Sequence, residues 1–140
     1  MIIVFCDTNI VFWIFKRICE SKTINNSSIS ALSKKHKVYI SDFVIHELRK
    51  NFEEKYDIYI SNDNIKEFLN ITWFGIIKSN KLNSEVISYV SDLDDAQILQ
   101  DAVDIYADIL LTKNISDFNI RWIYDKRNIK VFDQIPEELF

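Results

Sequence analysis

A chain of 140 residues, 48% apolar and 27% charged, has the length and composition of one globular domain with a real core. Its single glycine, Gly75, excludes every Gly-rich phosphate loop and the G-x-S-x-G elbow. Cys6 and Cys19 form no C-x-x-C pair and His36 and His46 no H-E-x-x-H, which with a net charge of -4 leaves carboxylate chemistry or none.

Ile2 to Cys6 is a short continuous apolar run and reads as a buried strand. Ile10 to Ile18 is apolar almost all round and reads as a buried helix, with Thr8 or Asn9 as its cap. Asp7-Thr8-Asn9 splits this N-terminal apolar region and no base precedes it, which fits neither an export signal nor a membrane span. The expected compartment is the cytoplasm, with both cysteines as reduced thiols. Ser21 to Ser28 reads as a loop, Ser28 to His36 as a helix and Val38 to Ser41 as a strand.

Asp42 to about Glu54 is an amphipathic helix, with Val44, Leu48 and Phe52 at every fourth position. Lys55 to Ile60 fits either period, and Ser61 to Asn64 reads as a loop. Asn64 to Thr72 reads as a helix, Phe74 to Lys78 as a strand and Glu85 to Val90 as a short helix. Asp94 to Ala107 is the clearest helix. Ile109 to Thr112 and Ile129 to Phe132 complete the strands, with a short helix after Asp117. Short apolar strands alternating with helices predict an α/β fold of three layers, α/β/α. Its central, mostly parallel sheet should have about five strands, and residues 1–140 form a single domain. Ligands of such sheets sit at the carboxyl ends of the strands, where strand order reverses.

Four acids stand where that rule directs attention. Asp7 follows the first strand, a position also common for turn and cap acids. On a wheel of about 100° per residue, Ile98, Leu99, Ala102, Val103 and Tyr106 share one face, and Asp95 falls inside it. Gln97, Gln100, Asp101, Asp104 and Asp108 fall on the other side, and Asp94 is the better cap candidate. Glu47 lies on the flank of its helix's apolar stripe, and Asp117 follows the fourth strand closely. Buried carboxylates need cations, and no matching cluster of buried bases exists in the pattern. A divalent metal with oxygen ligands, Mg²⁺ or Mn²⁺, is the natural counter-charge.

These residues resemble a known family. Asp7-Thr8-Asn9 after an N-terminal apolar strand resembles the opening motif of PIN domains. Asp95-Ala96-x-Ile98-Leu99 resembles the central block, and Ala107 to Phe118, with Thr112-Lys113-Asn114-x-x-Asp117-Phe118, the C-terminal one. The closing Pro136-Glu137-Glu138-Leu139-Phe140 is similar to the ending of PIN chains.

The resemblance spans essentially the whole chain and implies a Mg²⁺- or Mn²⁺-dependent endoribonuclease that hydrolyses RNA phosphodiester bonds with metal-activated water. It implies Asp7, Glu47, Asp95 and Asp117 as catalytic metal ligands, with Asn9, Thr112 and Asn114 in support. Some PIN domains carry an acid where this chain has Asn114, and Asp117 would then supply that charge. Small single-domain members of the VapC type are toxins, which implies an antitoxin partner and a homodimer.

Two readings compete: a catalytically inactive PIN-like interaction module and a metal-dependent phosphatase. The four site acids alone account for the net charge of -4. Lys113, Arg121, Lys126 and Arg127, interleaved with Trp122 and Tyr124, are candidate RNA contacts or simply a solvated face.

Overall fold

The computed structural model describes residues 1–21 and 28–139. The reading of a loop at Ser21 to Ser28 and the terminal Phe140 fall largely outside the described residues. Five strands form one sheet: β1 (Ile3–Cys6), β2 (Lys37–Ser41), β3 (Gly75–Ile77), β4 (Ile109–Leu111) and β5 (Lys130–Phe132). All neighbours pair in parallel, in the order β3-β2-β1-β4-β5. Among the described residues, seven helices flank the sheet: α1 (Thr8–Ser21), α2 (Ser28–Lys35), α3 (Asp42–Tyr56), α4 (Asn62–Thr72), α5 (Ser84–Ile87), α6 (Leu93–Asp104) and α7 (Ile120–Arg127). This is the expected α/β/α arrangement, with every strand pairing parallel. Val4, Phe5, Cys6, Ile40, Leu110 and Leu111 are buried, as strands covered on both faces require. No helix among the described residues is long and apolar enough to cross a membrane.

Several local expectations change. Helix α1 starts at Thr8, so Asp7 precedes it, and the Asp7 carbonyl accepts from the Ile10 and Val11 N–H groups. Nor is α1 buried all round. Val11, Phe12, Phe15 and Ile18 pack inward, while Trp13 is 55% exposed. The Lys16 ammonium lies 5.2 Å from the Trp13 ring centre and 5.7 Å from that of Tyr56, covering this aromatic surface with a cation. Helix α4 begins two residues early because Ser61 and Asn64 form a reciprocal capping box. Helix α6 is capped by Asp92 rather than Asp94: Asp92 Oδ1 accepts from the Asp94 and Asp95 N–H groups. It ends before Ala107 because Tyr106 turns left-handed, at φ 53°.

The one glycine has a steric reason. A Cβ at Gly75 would stand 2.5 Å from Tyr39 Cε1 on the neighbouring strand. Gly75→Ala should therefore cost about 1–3 kcal/mol as the ring is displaced. Urea unfolding measures this directly, and an unchanged midpoint would show that the Tyr39 ring moves freely.

Candidate functional site

The chain leaves β1 for β2 on one side and later returns to place β4 on the other. The carboxyl ends of β1 and β4 therefore flank the reversal in strand order, where a parallel sheet opens a crevice. Asp7 directly follows β1 and Thr112 directly follows β4. Both are buried, and the Thr112 hydroxyl donates to Asp7 Oδ2 at 2.7 Å. The Thr8 N–H donates to Asp7 Oδ1 at 2.6 Å. Each Asp7 oxygen thus has a partner, one at the start of α1 and one directly after β4.

Glu47 enters from α3. Ser41 closes β2 and caps α3 by accepting from the Val44 N–H, which fixes where the helix begins. Glu47 Oε1 accepts from the Thr8 hydroxyl at 2.7 Å, which ties α3 to the start of α1. Asp95 enters from the first turn of α6, buried as its place on the wheel required. Its Oδ2 is buried and has no hydrogen-bond partner. Asp117 closes a 3-10 turn (Ile115–Asp117), and its carbonyl accepts from Ser91 N–H at 2.9 Å.

The charges act on one another. Burial, then Asp92, Asp7, Asp117 and Glu47, raise Asp95 to about 7. Burial raises Glu47 to about 7 against the Thr8 hydrogen bond, with Asp7, Asp94 and Asp92 adding to the rise. Burial also pushes Asp7 up, while the Thr112 and Thr8 hydrogen bonds pull it down and Asp92 adds to the rise. The neighbouring charges that raise these three groups are other carboxylates. Among the described residues, no three His, Cys, Asp or Glu side chains are already spaced to close around a metal ion. The donor set nevertheless fits a hard divalent cation by chemistry and charge. It is all oxygen, its carboxylates raise one another's pKa values, and it includes one buried partnerless oxygen among the described residues.

The supporting residues divide. Thr112 binds Asp7 and also accepts from the Asn114 N–H at 3.1 Å. Asn9 Oδ1 accepts from the Lys113 N–H at 3.0 Å, while its Nδ2 stands 3.5 Å from Asp7 Oδ2, too far for a strong bond. The Asn114 side chain makes no cap to the 3-10 turn that follows it.

Two contributors escaped the sequence reading, the Thr8 hydroxyl and Asp92. The acid at Asp92 stands one helical turn before Asp95, and that spacing was the available signal.

The basic candidates disperse. Lys113 Nζ donates to the Asp133 carbonyl, and Arg127 pairs with Glu85 at 3.0 Å. Lys126 and Arg127 line a 440 Å³ cavity with Asp108 and Ile129, next to the starts of β4 and β5. That is the end of the sheet opposite Asp7, so these two bases do not reach the carboxylates. Trp122 and Tyr124 are exposed, and the Trp122 ring meets Tyr89 edge-on at 6.5 Å.

No protein-family model matches the sequence, and no curated protein matches it. Solved structures do. The chain is similar to one in the crystal structure of VapBC2 from Rickettsia felis bound to a DNA fragment from their promoter. The TM-score is 0.60 at 20% identity, over 93% of this chain and 97% of that one. It is also similar to a chain of VapBC-1 from nontypeable Haemophilus influenzae, with a TM-score of 0.53 at 16% identity, over 94% of this chain and 97% of that one. At these identities the likeness is one of fold, and the PIN-like architecture implied by the sequence is the one observed.

Proposed function

We propose that this chain is a Mg²⁺- or Mn²⁺-dependent endoribonuclease of the cytoplasm, the toxin of a toxin–antitoxin pair. One observation supports the reading: Asp7 after β1, Glu47 on α3 and Asp95 on α6 have raised pKa values, and the charges that raise them are neighbouring carboxylates of the described residues. An antitoxin partner is supported by the solved structures of similar fold, which are VapBC complexes.

Asp7, Glu47, Asp95 and Asp117 would hold the metal, and Asp92 adds to the field that attracts it. A bound divalent cation supplies Lewis acidity and acidifies water near neutral pH, the chemistry of phosphodiester hydrolysis. The protein's own part is orientation. The Thr112 hydroxyl keeps Asp7 Oδ2 facing the β4 side of the crevice, and the Thr8 hydroxyl holds Glu47 toward α1. Asn9 fixes the backbone of Lys113 beside them.

The deciding experiment is cleavage of a mixed single-stranded RNA pool with Mg²⁺ or Mn²⁺, with EDTA as control. Cleavage that EDTA abolishes supports the reading. No cleavage together with no metal-induced thermal stabilisation sinks it and leaves an interaction module.

Thr112→Val isolates the orienting role. It removes the donor to Asp7 Oδ2 and the acceptor of the Asn114 N–H. Losses of this kind behind a metal ligand weaken affinity about 10- to 100-fold. Calorimetric titration with Mn²⁺ measures the change, and an affinity equal to wild type would dismiss Thr112 from the site.

A further inference from the structure

Helix α6 carries a second buried carboxylate that the proposed chemistry does not use. Asp101 stands six residues after Asp95 and is wholly buried, on the side that the helical wheel assigned to solvent. Its oxygens are fully engaged. Oδ1 accepts from Gln97 Nε2 at 3.0 Å, and Oδ2 accepts from the Ser79 hydroxyl at 2.8 Å. The buried Ser41 hydroxyl, which accepts from the Val44 N–H at 3.2 Å, lies close enough to this carboxylate to lower its pKa, and its proton is free to turn toward it.

These partners belong to separate elements of the candidate site. Ser41 ends β2 and caps α3, the helix that carries Glu47. Ser79 follows β3, and its own N–H donates to Asp42 Oδ1 in the first turn of α3 at 2.8 Å. Asp101 itself rides on the helix that carries Asp95. A buried carboxylate is costly unless every oxygen is bonded, and here α6 itself and the segment after β3 each bond one oxygen, beside the residue that caps α3. An apolar residue at position 101 would pack α6 without fixing its register against the start of α3.

We infer that Asp101 is a positioning residue: it clamps α6 to the N-terminus of α3 and so sets the placement of Asp95 relative to Glu47. This rests on the proposed metal-dependent function for its purpose, though not for its geometry.

Two variants test it. Asp101→Asn keeps the size but turns one acceptor into a donor, and Ser79→Ala removes the donor to Asp101 Oδ2 while leaving Asp101 and the Ser41 cap of α3 in place. Hydrogen exchange by NMR reads the clamp without any metal. Exchange should speed up at Val44 and Ala96, near the starts of α3 and α6, while amides of β1 and β4 keep wild-type protection. Titration with Mn²⁺ alone reads the consequence, a loss of affinity of about 10- to 100-fold in both variants.

Wild-type exchange at both helix starts would overturn the inference, as would a uniform loss of protection across the sheet, which marks a merely structural residue. Local loosening with unchanged Mn²⁺ affinity would also overturn it, because the clamp would then set nothing at the site. A wild-type chain that takes up no Mn²⁺ overturns the proposed function itself, and the inference falls with it. That failure is distinct, because the exchange comparison needs no metal.

Discussion

Asp95→Asn should lower metal-dependent RNA cleavage by at least about 100-fold, more than the loss of a group that merely supports a ligand, while raising the melting temperature of the metal-free protein. The two effects have one cause. Asp95 is buried, one of its oxygens has no partner, and the fields of Asp92, Asp7, Asp117 and Glu47 all oppose its charge. The amide keeps the shape and removes the repulsion. A residue that only capped or packed α6 would lose stability on the same change, or lose nothing.

Asp7→Asn should lose activity as severely, without the gain in stability. Its oxygens already accept from the Thr8 N–H and the Thr112 hydroxyl, so an amide nitrogen must face the Thr8 N–H or force the Thr112 hydroxyl to turn from donor to acceptor, and a bond is lost either way. Cleavage of end-labelled RNA and thermal melts of both variants in EDTA check the pair. Wild-type cleavage by Asp95→Asn would remove the metal-ligand assignment at this position.

What the sequence made legible follows from how much each residue depends on distant partners. The strands were readable because a strand covered on both faces must be apolar at every position, as Val4 to Cys6 and Ile109 to Leu111 are. Asp95 was readable because an acid in an apolar stripe contradicts its local surroundings. Glu47 was barely readable, since its hydroxyl partner Thr8 lies 39 residues away.

Asp101 was misplaced for a reason that generalises. A helical wheel assumes one covered side. Helix α6 packs on the sheet and is covered again by the chain after β3. There Asn83 N–H donates to Gln100, Gln97 donates to the Asn80 carbonyl, and Asn80 donates to Asp104. Polar residues on that side are buried in a hydrogen-bonded seam, and Gln100 and Asp101 are its buried members. Asp92 escaped because a wheel drawn from Asp94 leaves out the residue that caps the helix. The direction of α7 was equally hidden, and it carries Lys126 and Arg127 away from the site that their position in sequence suggested.

The metal-free protein should be more stable near pH 5 than near pH 8, and a divalent cation should reverse that order. Glu47 and Asp95 rise from ordinary values of 4.5 and 3.8 to about 7 in the folded state, and Asp7 moves in the same direction. Between about pH 4 and pH 7 the folded chain therefore holds protons that the unfolded chain has released. Stability falls as pH climbs through that window, and above it the whole repulsion is present. This is opposite to the effect of carboxylates paired with bases, whose lowered values add stability as pH rises. Glu47 is partly open to solvent, which screens the effect, so the fall in melting temperature should be on the order of 5 °C. At pH 8, Mg²⁺ or Mn²⁺ at 100 times its dissociation constant should restore about 2.7 kcal/mol, because it binds only the folded arrangement of carboxylates. At pH 5 the same addition should do much less, since protons then occupy the oxygens that the metal needs. Thermal melts at the two pH values, each with EDTA and with Mn²⁺, measure all four conditions. A melting temperature that rises from pH 5 to pH 8 in EDTA would mean that bases, not neighbouring acids, govern these carboxylates, and the case for a cation site would fail with it.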